Sequence, residues 1–245
     1  KVFFQKDDSS VWIDLTNDGL DEKIVRRKDG TSVYMTQDIG LAQLKQKEFN
    51  TDASIYVVGD EQNYHFKVLK LICQKLQLPA ADGIFHLSYG MVELPTGKMK
   101  SREGTVVDAD DLVDEMIKIS KEKTEALGKV SDFTPAQLEE LYNTIGLGAL
   151  KFFLLRVDPK KKMIFNPEES IDFHGFTGPF IQYTHARIKS ILRKTGTAVT
   201  LTPNELLPLE KQLAIELSLF PAIINEAADN LDPSKIAIYA FNLAK

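Results

Sequence analysis

The stretch that most restricts the fold is Ile55-Tyr-Val-Val58, a continuous apolar run of strand length that stops at Gly59-Asp60-Glu61-Gln62. Such a run reads as a strand covered on both faces, the pattern of a parallel sheet. A helical pattern follows, with Phe66, Leu69, Ile72, Cys73 and Leu76 on one face. Pro79 to Gly83 closes it, and Ile84-Phe-His-Leu-Ser-Tyr89 reads as the next strand. Upstream, a helix is expected from an N-cap at Thr36 to about Phe49, with Met35, Ile39 and Ala42 at helical spacing. Before that helix, Val11–Leu15 and Asp21–Arg27 read as strands, and Lys28-Asp-Gly-Thr31 carries the Asp-Gly hairpin signal. Strand, helix, strand, helix, strand predicts a doubly wound α/β sheet. Right-handed crossovers gather the loops after the strands on one edge, where ligands bind. Tyr34–Asp38, Gly59–His65 and Gly97–Gly104 are the polar loops expected there.

From Asp108 the pattern turns helical. Asp108 is placed to cap a helix carrying Leu112, Met116 and Ile119. Thr134-Pro-Ala-Gln137 is a capping box with proline at the first helical position. Leu138, Leu141, Ile145, Ala149 and Phe152 continue an apolar stripe, which Pro159-Lys-Lys-Lys162 interrupts. Asn166-Pro167 and Gly175 to Pro179 mark a loop. A basic amphipathic helix with Ile181, Ile188 and Leu192 then runs to about Gly196. Three shorter helical segments, punctuated by Pro208, Pro221 and Asp232-Pro233, are expected after it. The boundary between the two regions falls between about 108 and 135.

Charge and cysteine content narrow the chemistry. The single cysteine, Cys73, excludes an internal disulfide and a cysteine-based zinc site. Its apolar helical setting predicts a buried, inert thiol in a cytosolic protein. No apolar run reaches the roughly 20 residues that span a bilayer, so no membrane partner is expected. The net charge is −5, but residues 151–194 hold nine Lys/Arg against four acids. A local basic surface on an acidic chain suits docking of a structured nucleic acid, or is simply a solvated face. The chain starts at Lys1 inside a patterned region and ends within an apparent helix, and a piece of a longer protein is the expectation.

Three sets of residues carry chemistry. Gly97 and Gly104 bracket Lys98, Lys100 and Arg102. Cations in a loop with glycine at both ends suit a polyanion such as a nucleotide triphosphate, or form a solvated hairpin tip. Tyr34 and Asp38 are four apart, so a helix sets them on one face. With Gln62 they can hold a planar cation, or they are a capping aspartate and a half-buried tyrosine. His65, one turn after Gln62, either serves a ligand or is structural, and His86 in its apolar strand reads as structural. No histidine pair, His174 and His185 included, has metal-ligand spacing, so no protein-bound metal is expected. There is also no G-x-x-x-x-G-K-[ST] phosphate loop.

Gly97-Lys-Met-Lys-Ser-Arg-Glu-Gly104 resembles the mobile Lys-Met-Ser-Lys-Ser loop of class I aminoacyl-tRNA synthetases. Within that class the chain resembles the arginyl-tRNA synthetases in three further blocks: Asp29-Gly-Thr-Ser-Val-Tyr-Met-Thr-Gln-Asp38, Val58-Gly-Asp-Glu-Gln-Asn-Tyr-His-Phe66, and Asp172-Phe-His-Gly-Phe-Thr-Gly-Pro-Phe-Ile-Gln-Tyr-Thr-His-Ala-Arg187. The resemblance implies the second half of a Rossmann-type parallel sheet over residues 1–125. It implies an all-α bundle of anticodon-binding type over 126–245. It implies ATP-dependent activation of L-arginine to the adenylate, with Mg2+ accompanying ATP, and transfer to tRNA(Arg) by a monomeric cytoplasmic enzyme.

In the same terms, Tyr34, Asp38 and Gln62 match the residues that recognise the arginine side chain. Gly59, His65, Tyr89, Gly90, Met91, Val92 and Gly104 match the nucleotide site. Lys98, Arg102 and Lys100 are the loop cations expected on phosphate. Lys160, Lys161, Lys162, Gln182, Arg187, Lys189, Arg193 and Lys194 are expected on tRNA. The loop departs from the class pattern, because Ser101 takes the place of the second lysine. The His-Ile-Gly-His type motif of the class is absent, so this stretch alone is expected to be catalytically incomplete. The alternative is a non-catalytic tRNA-binding module or a truncated paralogue.

Overall fold

The computed structural model describes residues 1–95, 108–128, 130–195 and 206–245, which fall into two compact units, Lys1–Tyr89 and Gly90–Lys245. The loop cations Lys98, Lys100 and Arg102, with Gly104, lie outside the described residues.

The first unit opens with strands β1 (Phe4–Gln5), β2 (Val11–Ile13) and β3 (Lys23–Arg26), an antiparallel meander in the order β1-β2-β3. This corrects the expectation that the early strands enter the parallel sheet. The links between them are shorter than the dozen or more residues that a parallel crossover needs. The Asp-Gly turn forms as expected: Gly30 adopts φ 84°, Arg27 N–H donates to the Thr31 carbonyl at 3.0 Å, and Arg26 bridges Ser32.

Helix α1 spans Tyr34–Phe49. It starts two residues before the expected cap, so Thr36 is not the N-cap; Val33 is, in extended conformation. Thr36 sits in the first turn instead. Its hydroxyl accepts the Val33 N–H at 3.3 Å and donates to the Val25 carbonyl, tying α1 to β3. Asn50 ends the helix in the left-handed region, its N–H donating to the Gln46 carbonyl.

Strands β4 (Ser54–Gly59) and β5 (Ile84–Tyr89) pair in parallel, with Ser54 opposite Ile84 and Gly59 opposite Tyr89. Helix α2 (Asn63–Lys75) crosses between them and buries Phe66, Val68, Leu69, Ile72 and Cys73. These join Ile13, Leu15, Val25, Met35 and Ile84 in one core. Each such side chain contributes roughly 1.5–3 kcal/mol on burial. Cys73 is fully buried as expected, and burial pushes its thiol up to about 11. His86 is structural, also as expected: its Nε2 donates to the Val58 carbonyl at 2.9 Å and its ring stacks on Phe66. Burial of the parallel pair on both faces is not met in this chain. Tyr56 and Val58 pack on the core, whereas Ile55 and Val57 are 49% and 64% exposed and Phe85 is 44% exposed. The unbroken apolar run marks two apolar faces, of which α2 occupies one.

Among the described residues, the regular structure of the second unit is helical apart from the parallel pair β6 (Val92–Glu93) and β7 (Met163–Ile164). Helices α3 (Ala109–Ala126) and α4 (Pro135–Leu155) begin on the Asp108 cap and the Thr134/Gln137 capping box, both as expected. Helix α5 (Pro167–Ser170) leads to α6 (Gly178–Thr195), α7 (Pro208–Asn230) and α8 (Ser234–Ala244). Pro221 does not divide α7, contrary to expectation. Nearby, the Glu216 carbonyl accepts the Tyr239 hydroxyl at 2.9 Å, and Phe220 packs on the Tyr239 ring. Contacts from α8 thus hold this stretch of α7 although proline removes one backbone bond.

The block Asp172–Pro179 is the start of α6 written in side chains. Asp172 accepts the His174 N–H at 2.8 Å. The Thr177 hydroxyl donates to the Asp172 carbonyl and accepts the Phe180 N–H, capping the helix. Gly178 then approaches α4 so closely that a Cβ there would lie 2.5 Å from the Gly148 carbonyl oxygen. Gly178→Ala is expected to lower the unfolding free energy by about 1–3 kcal/mol, measured by denaturant titration. An unchanged midpoint would mean that the helices do not meet as described.

Candidate functional site

The C-terminal edge of the β4–β5 pair carries the site. Gly59 and Tyr89 are its register partners, so the last residues of both strands stand side by side. A short 3-10 turn, Asp60–Gln62, leads directly into α2 and places Gln62 and His65 at that edge. Tyr34 is the first residue of α1, with Asp38 one turn on. The two helix starts meet there, because His65 Nε2 lies 2.6 Å from Asp38 Oδ2. The pair is partly open to solvent, with side-chain exposures of 25% for His65 and 32% for Asp38.

The geometry shows where these residues stand. Asp38 is five residues into α1 and does not cap it. Tyr34 is 81% exposed, so it is not a half-buried core tyrosine. Gln62 is exposed as well. A free phenol, an ionisable carboxylate and an amide therefore share one edge. That combination offers oxygen acceptors to a planar, multiply donating cation.

Tyr64 was not among the expected site residues, yet it holds the edge together. Its hydroxyl donates to Asp21 Oδ2 at 2.7 Å and accepts the Asp21 N–H at 3.3 Å. That hydroxyl, and then Lys23, keep the Asp21 carboxyl below the ordinary carboxylate range. Lys23 also lies 4.5 Å over the Tyr64 ring. The first turn of α2 is thus fastened to the meander through Tyr64 and to α1 through His65. The block Gln62-Asn-Tyr-His65 holds the signal in sequence, but its partner lies 43 residues away, beyond the reach of spacing arguments.

In the second unit Gly90 is buried and its N–H donates to the Pro159 carbonyl at 2.7 Å. A Cβ at Gly90 would lie 2.4 Å from the Lys161 backbone, so glycine is required for this approach. The turn carrying Lys160, Lys161 and Lys162 therefore lies against Gly90, just before Met91 and the strand that begins at Val92. Asp158 shapes that turn by accepting the Lys160 N–H at 2.9 Å. All three lysines are exposed, as are Arg187, Lys189, Arg193 and Lys194 on α6.

Two polar residues of this region are occupied elsewhere. Gln182 Nε2 donates to the Thr144 carbonyl at 2.9 Å, and its Oε1 is buried, so its side chain serves the α4–α6 contact. Arg156, one of the nine cations counted between 151 and 194, packs its guanidinium 4.0 Å from the Phe153 ring and donates to the Phe176 carbonyl. Burial pulls its guanidinium below the ordinary arginine range.

Comparison with known proteins places this arrangement. Residues 1–166 match the family described as tRNA synthetases class I (R), catalytic domain. The chain belongs to that family. Residues 181–245 match the DALR anticodon binding domain. The arginine–tRNA ligase of Flavobacterium psychrophilum is 57% identical to the chain over 248 residues, covering 100% of the chain and 41% of the relative. That of Bacteroides thetaiotaomicron is 52% identical, covering 99% and 42%. The chain therefore spans about two fifths of the length of these relatives. Among solved structures, Thermus thermophilus arginyl-tRNA synthetase superposes with a TM-score of 0.86 at 26% identity, over 99% of this chain and 46% of that one. Among the described residues, no group of three or more His, Cys, Asp or Glu side chains is placed to hold a metal ion. None of their helices is long and apolar enough to cross a membrane.

For a member of this family the cations are not equivalent. Arg156→Ala is expected to destabilise the fold by about 2 kcal/mol, since a partly buried carbonyl loses its donor and two rings lose a cation. Lys189→Ala on the open face of α6 should stay within about 0.5 kcal/mol of wild type. Equal losses in urea unfolding would contradict this division.

Proposed function

We propose that the chain is the C-terminal part of an arginine–tRNA ligase. The parent would activate L-arginine with ATP to the adenylate, releasing pyrophosphate, and transfer the arginyl group to tRNA(Arg). The observation that carries this reading is the convergence of Tyr34 and Asp38 with Gln62 and His65 at one sheet edge. Asp38 would take the guanidinium by charge-assisted hydrogen bonds, with Tyr34 beside it and Gln62 completing the amide contacts. The identity of 57% with an arginine–tRNA ligase along the whole chain supports the same assignment.

Gly59 and Tyr89, register partners at the strand ends, would border the nucleotide, with Gly90, Met91 and Val92 following along the chain. Lys98, Arg102 and Lys100 would close on the phosphates, supplying charge stabilisation as pyrophosphate leaves. Mg2+ would arrive with ATP as part of that substrate. The exposed faces of α6 and of the 160–162 turn would meet tRNA through Lys160, Lys161, Lys162, Arg187, Lys189, Arg193 and Lys194. Gln182 contributes to that surface by fixing α6 on α4. The apolar outer face of β4–β5, with Ile55, Val57 and Phe85, would be covered by the rest of the catalytic domain. Residues 1–125 would complete that domain and 126–245 would carry the connecting and anticodon-binding helices of a monomeric, cytosolic enzyme.

The full-length protein carrying this segment should catalyse arginine-dependent pyrophosphate exchange when supplied with its tRNA. Asp38→Ala should raise the KM for arginine by at least tenfold, since a charge-assisted bond is worth roughly 1.5–3 kcal/mol. Exchange with a different amino acid alone, or an unchanged arginine KM, would defeat the assignment. Tight tRNA binding with no exchange would instead favour a binding module.

A further inference from the structure

We infer that His65 is a positioning residue that orients the Asp38 carboxylate for the substrate guanidinium. This rests on the reading of Asp38 as the guanidinium acceptor. It assigns His65 to the amino-acid side of the site and not to the nucleotide.

The argument begins with how unequally the two helices are anchored. Helix α2 buries five side chains, with Val68, Leu69, Ile72 and Cys73 all at 1% exposure or less. Helix α1 fully buries only Met35. Asp38 therefore stands on the less firmly packed helix, with a side chain free to choose among rotamers. His65 stands in the first turn of the firmly packed one. Its ring lies edge-on to Phe66 at 5.5 Å and 85°. Phe66 in turn stacks on His86 and packs against Tyr56. The imidazole is thus a fixed post, and the 2.6 Å bond to Asp38 Oδ2 is what holds the carboxylate. No other side chain among the described residues bonds to Asp38.

The chemistry of the bond agrees with that role. An ionised carboxylate only accepts, so Nε2 carries the hydrogen. The bond occupies one lone pair of one carboxylate oxygen. Each carboxylate oxygen has two acceptor sites, so Oδ1 and the remaining lone pair of Oδ2 stay available to a guanidinium fork. A cation such as lysine in place of His65 would neutralise the very charge the substrate needs. The pair is partly open to solvent, so solvent screening holds down what it contributes to stability. Fixing one rotamer of a recognition group is the more effective use of such a contact, since a ligand then meets a carboxylate already aligned.

The test uses the full-length protein and compares His65→Phe, which keeps a ring without a donor, with His65→Gln, which keeps a donor. Dissociation constants for arginine and for citrulline, its uncharged isostere, are measured by calorimetry, with the KM for ATP from pyrophosphate exchange and melting temperatures as a folding control. His65→Phe is expected to weaken arginine about tenfold while citrulline binding and the KM for ATP change less than twofold. His65→Gln should recover most of the arginine affinity. A purely structural residue would weaken arginine and citrulline alike, and a nucleotide contact would raise the KM for ATP instead. Either outcome, or no change at all, overturns the inference. If His65→Phe does not fold, the comparison of wild type with His65→Gln and His65→Asn decides by the same arginine-to-citrulline ratio. Failure of the wild-type protein to prefer arginine over citrulline would fault the reading of Asp38 itself. A preserved wild-type preference with an unaffected variant would fault only the role of His65.

Discussion

The burial of α2 is the constraint on which the site depends. Val68, Leu69, Ile72 and Cys73 are removed from water between the parallel strands and the meander, and that packing allows one position for the helix along its axis. Its first turn must then fall at the end of β4, where Gly59 and the 3-10 turn deliver it. Everything polar at the edge follows. Tyr64 reaches back to Asp21, His65 reaches across to Asp38, and Gln62 stands just before them. A core of apolar side chains thus sets the placement of the polar groups at its rim.

In the second unit the corresponding constraint is the absence of side chains. Gly146 lets α4 approach α3, where a Cβ would lie 3.0 Å from the Met116 carbonyl oxygen. Gly178 lets α6 approach α4, and Gly90 admits the 159–162 turn. The cations of α6 and of that turn are presented by these close approaches, while Arg156 and Gln182 are spent inside them. A charge count along the segment cannot separate the two groups. A guanidinium over Phe153 and one on open solvent contribute the same unit to the sum, yet only the second is free for a polyanion.

Much of this was legible in the sequence because it is local. The Asp-Gly turn, the Asp108 cap, the Thr134 capping box and the burial of Cys73 each follow from a few neighbouring residues. The Tyr34–Asp38 and Gln62–His65 spacings were legible for the same reason, being one helical turn each. What was not legible is long-range. Nothing near Asp21 announces Tyr64, and nothing near Asp38 announces His65. The meander was misplaced into the parallel sheet because a short strand reads alike in either setting, and only its connection length distinguishes them. Pro221 was read as a break because the contacts that hold α7 around it, Tyr239 on the Glu216 carbonyl and on Phe220, come from the next helix. The apolar run at 55–58 correctly marks two apolar faces, but a pattern cannot say how many are occupied.

The central claim is that one carboxylate, held where the starts of α1 and the buried α2 meet, receives the guanidinium of arginine. A crystal structure of the full-length protein soaked with arginine tests it directly. The account predicts guanidinium nitrogens at about 2.9 Å from the Asp38 carboxylate oxygens, with Gln62 and Tyr34 within reach and the Asp38–His65 bond intact. Arginine bound with its guanidinium against other residues, or with Asp38 turned toward solvent, would contradict it.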